Sequence, residues 1–231
     1  MQVNREWINI SDLMAGLMMV FLFISIVFMV QTEHEKKAMA KIALQVERSQ
    51  KELNKDLHAE FDKDLKGWGA EIVDKDNTVR FNEPDILFKK GSSTIKNKFK
   101  VILDNFFPRY IKILASSKYR KDIDEVRIEG HTSSTWIRTV PRAVAYLKNA
   151  RLSQDRSFSV LGYVYMLTNV KQYREWLVKV IRANGLSFAK IIKNPITGKE
   201  DYSRSRRVEF RVKTKTEDRI SQIIRQSKSD N

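Results

Sequence analysis

One carboxylate stands alone at the edge of an apolar segment. Asp12 lies in Trp7-Ile8-Asn9-Ile10-Ser11-Asp12-Leu13-Met14, and from Leu13 to Thr32 the 20 residues LMAGLMMVFLFISIVFMVQT carry no formal charge. A helix that begins near Trp7 or Ile8 places Asp12 about one turn inside it. An ionised carboxylate in lipid is costly, so such a residue faces protein or a water path. Low dielectric favours the protonated form of a carboxyl group, which lets it take up and release a proton. On a helix, Asp12 shares a stripe with Ala15, Gly16, Met19, Phe23 and Ile26. The small Ala15 and Gly16 admit close approach of a neighbouring helix. Capping is an equal reading of the same residues: Asp12 or Ser11 can accept the free N–H groups of a first turn at headgroup level. Met14, Met18, Met19 and Met29 read as packing residues, not metal ligands.

Other chemistry is sparse. The 231 residues include no Cys, which excludes a disulfide framework, a thiolate zinc site and a cysteine nucleophile. His34, His58 and His131 are scattered and form no metal motif. The sequence has no P-loop, nucleophile elbow or paired-His motif, so we expect neither an enzyme nor a bound cofactor. The apolar fraction of 42% fits a folded chain. The formal charge of +15 would suit a soluble nucleic-acid binder if it were evenly spread, which it is not.

The elements that must position these residues divide the chain. Residues 1–7 are a short N-terminal segment, and 8–32 are expected to form a transmembrane helix, since 20 apolar residues span about 30 Å. Ala38-Met39-Ala40 resembles a signal-peptide cleavage site, but Glu33, Glu35, Lys36 and Lys37 separate it from the apolar run, and no basic region precedes that run. We read an uncleaved anchor. Its flanking charges lean weakly against a cytoplasmic N-terminus. Residues 33–75 hold 9 Lys or Arg against 10 Asp or Glu, with apolar positions Ile42, Val46, Leu53, Leu57, Phe61 and Leu65 mostly four apart. This predicts an amphipathic linker helix, ended near Gly67-Trp68-Gly69. Residues 76–231 hold 33 Lys or Arg against 16 Asp or Glu, a net of +17.

Within 76–214 the patterns predict a compact α/β domain. Strands are expected at Thr78–Asn82, Glu125–Glu129, Ser187–Lys193 and Val208–Lys213, with Asp85–Phe88 extending or pairing with the first. Helices are expected at Lys96–Leu114, kinked or ended by Pro108, at Leu152–Leu167, and at Lys171–Ala183 with a stop at Asn184-Gly185. The order β-α-β-α-α-β-β places helices on one face of a mixed sheet. The tail 215–231 is polar, with Ile220, Ile223 and Ile224 able to form a short amphipathic helix.

Four motifs in order carry a resemblance. They are Ile86-Leu87-Phe88 with Gly91-Ser92-Ser93, then Ile128-Glu129-Gly130-His131-Thr132, then Asn149-Ala150-Arg151-Leu152-Ser153-Gln154-Asp155-Arg156, then Arg206-Arg207-Val208-Glu209. Together they resemble the OmpA-like peptidoglycan-binding domain over about residues 78–213. The resemblance implies a pocket for the diaminopimelate of a peptidoglycan stem peptide. Arg156 would pair with the ligand carboxylate, Asn149, Leu152 and Ser153 would shape the pocket, and Arg206 or Arg207 would contribute. Ser133 would also line the pocket, but it stands where the family pattern has Asp and cannot supply the anion that holds the ligand's ammonium group. His131 reads as a structural turn residue.

An N-terminal anchor with an entry Asp, a helical linker and an OmpA-like domain together resemble the MotB-type stator subunits of ion-driven motors. Ser11-Asp12-Leu13-Met14, Leu17-Met18 and Phe21-Leu22 match the family's membrane motif in spacing, and Asp12 falls on its ion-binding Asp. Within the family, SDLMAGLMMVFLF is most similar to the MotB-like subunits of Zorya anti-phage defence. The resemblance implies a homodimer inside a MotA-like (ZorA-like) ring in the bacterial inner membrane, N-terminus cytoplasmic and C-terminal domain periplasmic. It also implies proton or sodium translocation at Asp12, a plug in the linker and peptidoglycan as the anchor, with no direct nucleic-acid partner. Rival readings are a passive wall anchor, a flagellar-type stator, an ExbD- or TolR-type subunit, and a membrane-tethered nucleic-acid binder.

Overall fold

The computed structural model describes residues 3–82, 84–89, 91–136 and 140–215. The polar tail foreseen for 215–231 therefore lies, from 216 on, outside the described residues. The chain divides into two units, 1–48 and 49–231.

The first unit is the N-terminal part of helix α1 (Val3–Trp68). From Asp12 on, α1 is the one described helix long and apolar enough to cross a membrane. Its apolar side chains are uncovered within the chain, Phe23 and Met29 at 70% and 72% exposure. The polar side chains in the stretch bond their own helix: Ser25 Oγ donates to the Phe21 carbonyl at 2.7 Å and Thr32 Oγ1 to that of Phe28 at 2.8 Å. Such back-bonding hides hydroxyl groups that a hydrocarbon phase would penalise.

The second unit is an α/β domain on a five-stranded mixed sheet. The strands are β1 (Ala70–Val73), β2 (Thr78–Phe81), β3 (Ile123–Gly130), β4 (Ile181–Gly185) and β5 (Val208–Thr214), in the order β1-β2-β5-β3-β4. Only β3 and β4 pair in parallel. The further helices are α2 (Pro84–Leu87), α3 (Asn97–Leu114), α4 (Arg142–Met166), a 3-10 turn Thr168–Tyr173, α5 (Arg174–Val180) and α6 (Tyr202–Ser205).

Alternation along the strands sorts the two faces. Val79 and Phe81, Val126 and Ile128, and Val208, Phe210 and Val212 point into the core. There Phe106 of α3 sits at the centre of an aromatic cluster, with ring centroids 5.0 Å from Phe210 and Tyr110 and 5.2 Å from Phe61 and Phe81. The opposite face carries a charged ladder in register: Glu71 is paired with Arg80, Arg80 with Glu209, and Glu209 with Glu129. Part of this ladder is buried, beneath a long excursion between β4 and β5.

Five expectations are corrected. The linker foreseen for 33–75 is not one element: from Ser49 it belongs to the domain, and Leu53, Leu57 and Phe61 are core residues. The apolar stripe was legible, but the surface it covers comes from α3 and β5, far along the chain. The helix foreseen to Ala183 stops at Val180, and Ile181–Gly185 is β4, because Val126 to Gly130 of β3 offer it a parallel partner. Ser187–Lys193 is not a strand; it forms turns and one isolated bridge from Lys193 to Glu200. Asp85–Phe88 is not a strand extension; Asp85 to Leu87 lie in α2, and Phe88 bridges Ile95. Pro108 neither ends α3 nor stops its packing, since the helix runs to Leu114. The carbonyl that loses its partner is that of Asp104, on the exposed side, where water can serve it.

Candidate functional site

The carboxyl-terminal ends of β3 and β4 meet the middle of α4. Gly130 and Gly185 are register partners across the two strands. A Cβ on Gly130 would strike the Ser153 carbonyl oxygen, and one on Gly185 the Gln154 backbone nitrogen. Two glycines therefore let α4 lie directly on the sheet end. Gln154 completes the contact, accepting from Gly185 N at 2.7 Å and donating to the Ala183 carbonyl at 3.2 Å. This residue was missed from sequence; an amide side chain one position after Ser153 was the available signal.

The turn after β3 is pinned by its backbone. His131 N donates to the Arg207 carbonyl at 3.0 Å, Thr132 N to that of Ser187 at 2.9 Å, and Leu186 N to that of Gly130 at 2.9 Å. Ser187 holds a left-handed φ of 51° and donates its N–H to Ser153 Oγ at 2.9 Å, while Ser153 Oγ donates to the Ala150 carbonyl. Ser153 is fully buried. It is thus a fastener between α4 and the excursion, not a pocket wall, which corrects its expected role.

Beneath the turn lies a buried ion cluster. The His131 imidazole has its Nε2 3.3 Å from Glu209 Oε2 and 3.7 Å from Glu129 Oε2. Glu209 Oε1 accepts from Arg80 Nε at 2.7 Å and Arg207 Nε at 2.6 Å. Burial works against the charge on Glu209, but His131 and Arg207 outweigh it and hold its pKa well below the usual carboxylate range. Glu129 is likewise lowered despite burial, by His131, Lys190 and Arg211. Glu129, His131 and Glu209 could offer three ligand atoms to a metal ion. The guanidinium groups of Arg80 and Arg207 already supply the positive charge there, so the arrangement is that of an internal ion network. Arg207 also donates to the carbonyls of Lys190 and Ser205 and is 4% exposed. The expectation that it contacts ligand is corrected: its side chain is consumed inside the domain.

Arg156 and Arg206 are different. Arg156 Nε donates to the Ser92 carbonyl at 3.0 Å, and its guanidinium lies 4.9 Å from the Phe88 ring centroid. Phe88 and Ser92 thus position one edge of the group. Its terminal nitrogens have no partner among the described residues. Burial first, and then the charge of Arg206, push its pKa down to about 10, so it stays a cation at neutral pH. No carboxylate among the described residues pairs with Arg156 or Arg206. Two half-buried guanidinium groups without a counter-ion make a site for an anion, and a planar carboxylate suits the free edge of Arg156.

The remaining expected residues border this end of the sheet. Asn149 is buried, and its Nδ2 has no hydrogen-bond partner among the described residues. Leu152 is half-buried on α4. Ser133 is buried and shares its hydroxyl with Thr135 Oγ1 at 2.8 Å. Ser134 donates its N–H to Glu200 Oε1 at 2.9 Å and its hydroxyl to Glu200 Oε2. Nothing local in the sequence linked Glu200 to this turn, since the two residues are 66 positions apart. Asp12, in the other unit, is exposed on α1.

No protein-family model matches the chain. The Zorya protein ZorB of Escherichia coli is 47% identical over 225 residues, 97% of this chain and 94% of that protein. Among solved structures, a MotB-like protein from Desulfovibrio vulgaris superposes with a TM-score of 0.52 at 23% identity, over 74% of this chain and 95% of that one. That likeness is one of fold. The periplasmic domain of Helicobacter pylori MotB matches 70% of this chain and 90% of its own, at 17% identity and a TM-score of 0.45. The near-complete coverage of both sequences by the first match decides the assignment: the chain belongs to the ZorB family of Zorya proteins.

Proposed function

We propose that this chain is the MotB-like stator subunit of an ion-driven rotary motor in anti-phage defence, fixed to the cell wall by its C-terminal domain. The observation that carries the reading is the place of Asp12, the sole acidic residue between Glu6 and Glu33, at the entry of the apolar stretch of α1. The whole-length relationship to a Zorya protein supports the same reading over that of a flagellar stator. Two copies would set their apolar helices within a ring of MotA-like subunits in the inner membrane, N-termini in the cytoplasm and domains in the periplasm. Asp12 of each copy would bind and release a proton, with sodium the alternative ion, and the ring would turn about the dimer. One elementary charge crossing 100 mV releases about 2.3 kcal/mol, so sustained rotation needs many ions. At the other end, Arg156 and Arg206 would hold a stem-peptide carboxylate and keep the dimer stationary. Because the linker from Ser49 is part of the domain, a plug could be drawn only from residues 33–48.

Asp12→Asn keeps shape and removes titration. Loss of phage protection and of ion flux is expected, with normal amounts of protein in the membrane. Protection at the wild-type level would sink the ion-carrier role and leave the passive-anchor reading.

A further inference from the structure

The turn after β3 lacks the acid that an ammonium-bearing ligand needs, and a carboxylate from elsewhere stands beside it. Ser133 is neutral, buried and committed to Thr135. The next residue, Ser134, holds both oxygens of Glu200 through its N–H and its hydroxyl. A carboxylate has about four acceptor positions, so two donors leave lone pairs free. Glu200 is half-buried, open enough to meet a ligand.

Its placement is fixed from behind. Glu200 bridges Lys193, Asp201 N donates to the Ile192 carbonyl at 2.8 Å, and Asp201 caps α6 by accepting from Ser203 N and Arg204 N at 3.0 Å each. Ser205 Oγ then accepts from Ile192 N at 3.0 Å. The same excursion goes on to Arg206, whose charge bears on Arg156. One segment therefore delivers a carboxylate to the turn and a guanidinium to the anion site.

We infer that Glu200 is a binding residue of this site, its carboxylate receiving the ammonium of an amino-acid head group whose own carboxylate is held by Arg156. The inference rests on the wall-binding reading of Arg156. The ligand class is a peptide stem that ends in a free α-amino acid, ammonium and carboxylate on one carbon. A residue that merely straps the excursion to the turn would be indifferent to the ligand's amine.

The test uses the full chain in detergent and two peptides. Both are L-alanyl-γ-D-glutamyl-meso-diaminopimelate with the N-terminus acetylated; in the second, the distal ammonium is acetylated as well. Wild type is expected to bind the free-amine peptide about tenfold more tightly, the effect of one charge-assisted pair. Glu200→Gln, isosteric and still able to accept from Ser134, is expected to bind the two peptides alike. Glu200→Asp, which keeps the charge, is expected to restore a preference, and Arg156→Ala to weaken both peptides. A wild-type preference retained by Glu200→Gln overturns the role of Glu200 and leaves the wall reading standing. Failure of wild type to bind either peptide overturns both.

Discussion

Arg156 shows how a single side chain can be both held and free. Its Nε and the face of its guanidinium are spent on Ser92 and Phe88, and its outer edge is not. Arg156→Ala should reduce retention of the protein on purified sacculi by about tenfold or more, with only a small fall in melting temperature, because the Ser92 hydrogen bond and the Phe88 contact are lost but no internal ion pair is. Arg156→Lys should recover only part, since an ammonium lacks the planar fork. His58 makes a separate prediction. Burial lowers its pKa, but Asp74 on Nε2 at 2.8 Å and Asp62 on Nδ1 at 2.7 Å outweigh that and hold it above the ordinary 6.5. A raised folded pKa stabilises fully below 6.5, and the stabilisation disappears as pH rises through the folded value. The melting temperature of wild type should exceed that of His58→Gln at pH 6, and the gap should close as pH is raised above the folded pKa. A gap independent of pH would show that the imidazolium contributes nothing.

The decisive contact between elements is α4 across β3 and β4. It is as close as two glycines allow, so a single methyl group is a severe test. Gly130→Ala drives a Cβ into the Ser153 carbonyl, and relief requires the helix to lift from the sheet. A loss of about 1–3 kcal/mol in denaturant unfolding is expected, together with weaker wall binding as Arg156 moves with α4. The second half of α1 is the other informative element. Leu57 and Phe61 are fully buried, and Arg109 of α3 clamps the helix from outside through Glu60 at 2.6 Å and Asp64 at 2.8 Å. Leu57→Ala should cost about 2–5 kcal/mol, as for other core leucines. A cost near zero would return this stretch to the status of a linker.

At the scale of the whole molecule, the boundary between units falls inside α1, at residue 48, and not where the domain motifs begin. A fragment of residues 49–215 should fold and melt cooperatively. One of 76–215 should not, because it lacks β1 and three core side chains of α1. Limited proteolysis of the two fragments distinguishes them directly. The charge divides in a related way: the excess of basic residues lies from residue 76 on, and inside the domain some of it is neutralised across the ladder of Glu71, Arg80, Glu209 and Glu129. Arg156 and Arg206, at the proposed wall site, take no part in that neutralisation.

Local pattern was enough for whatever depends on neighbours in sequence. The uncharged run after Asp12 specified a helix long and apolar enough to cross a membrane, the 3.6-residue stripe of Phe99, Leu103, Phe106 and Tyr110 specified α3, and the alternation around Val126 and Phe210 specified β3 and β5. Asn149, Leu152 and Arg156 lie on one helix, α4, which begins at Arg142, ten residues before the start expected at Leu152. Tertiary structure alone decided the rest. The Val-Ile run at 178–181 suits helix or strand, and a parallel partner in β3 turned its end into β4. Leu53, Leu57 and Phe61 are core or solvated face according to whether α3 lies against them. Arg207 looked like its neighbour Arg206 until the strand direction sent it into the ion cluster. Glu200 had no signal at all, since its meaning comes from a turn 66 residues away. Periodicity records which side of an element is buried; only the packed chain determines what that side meets.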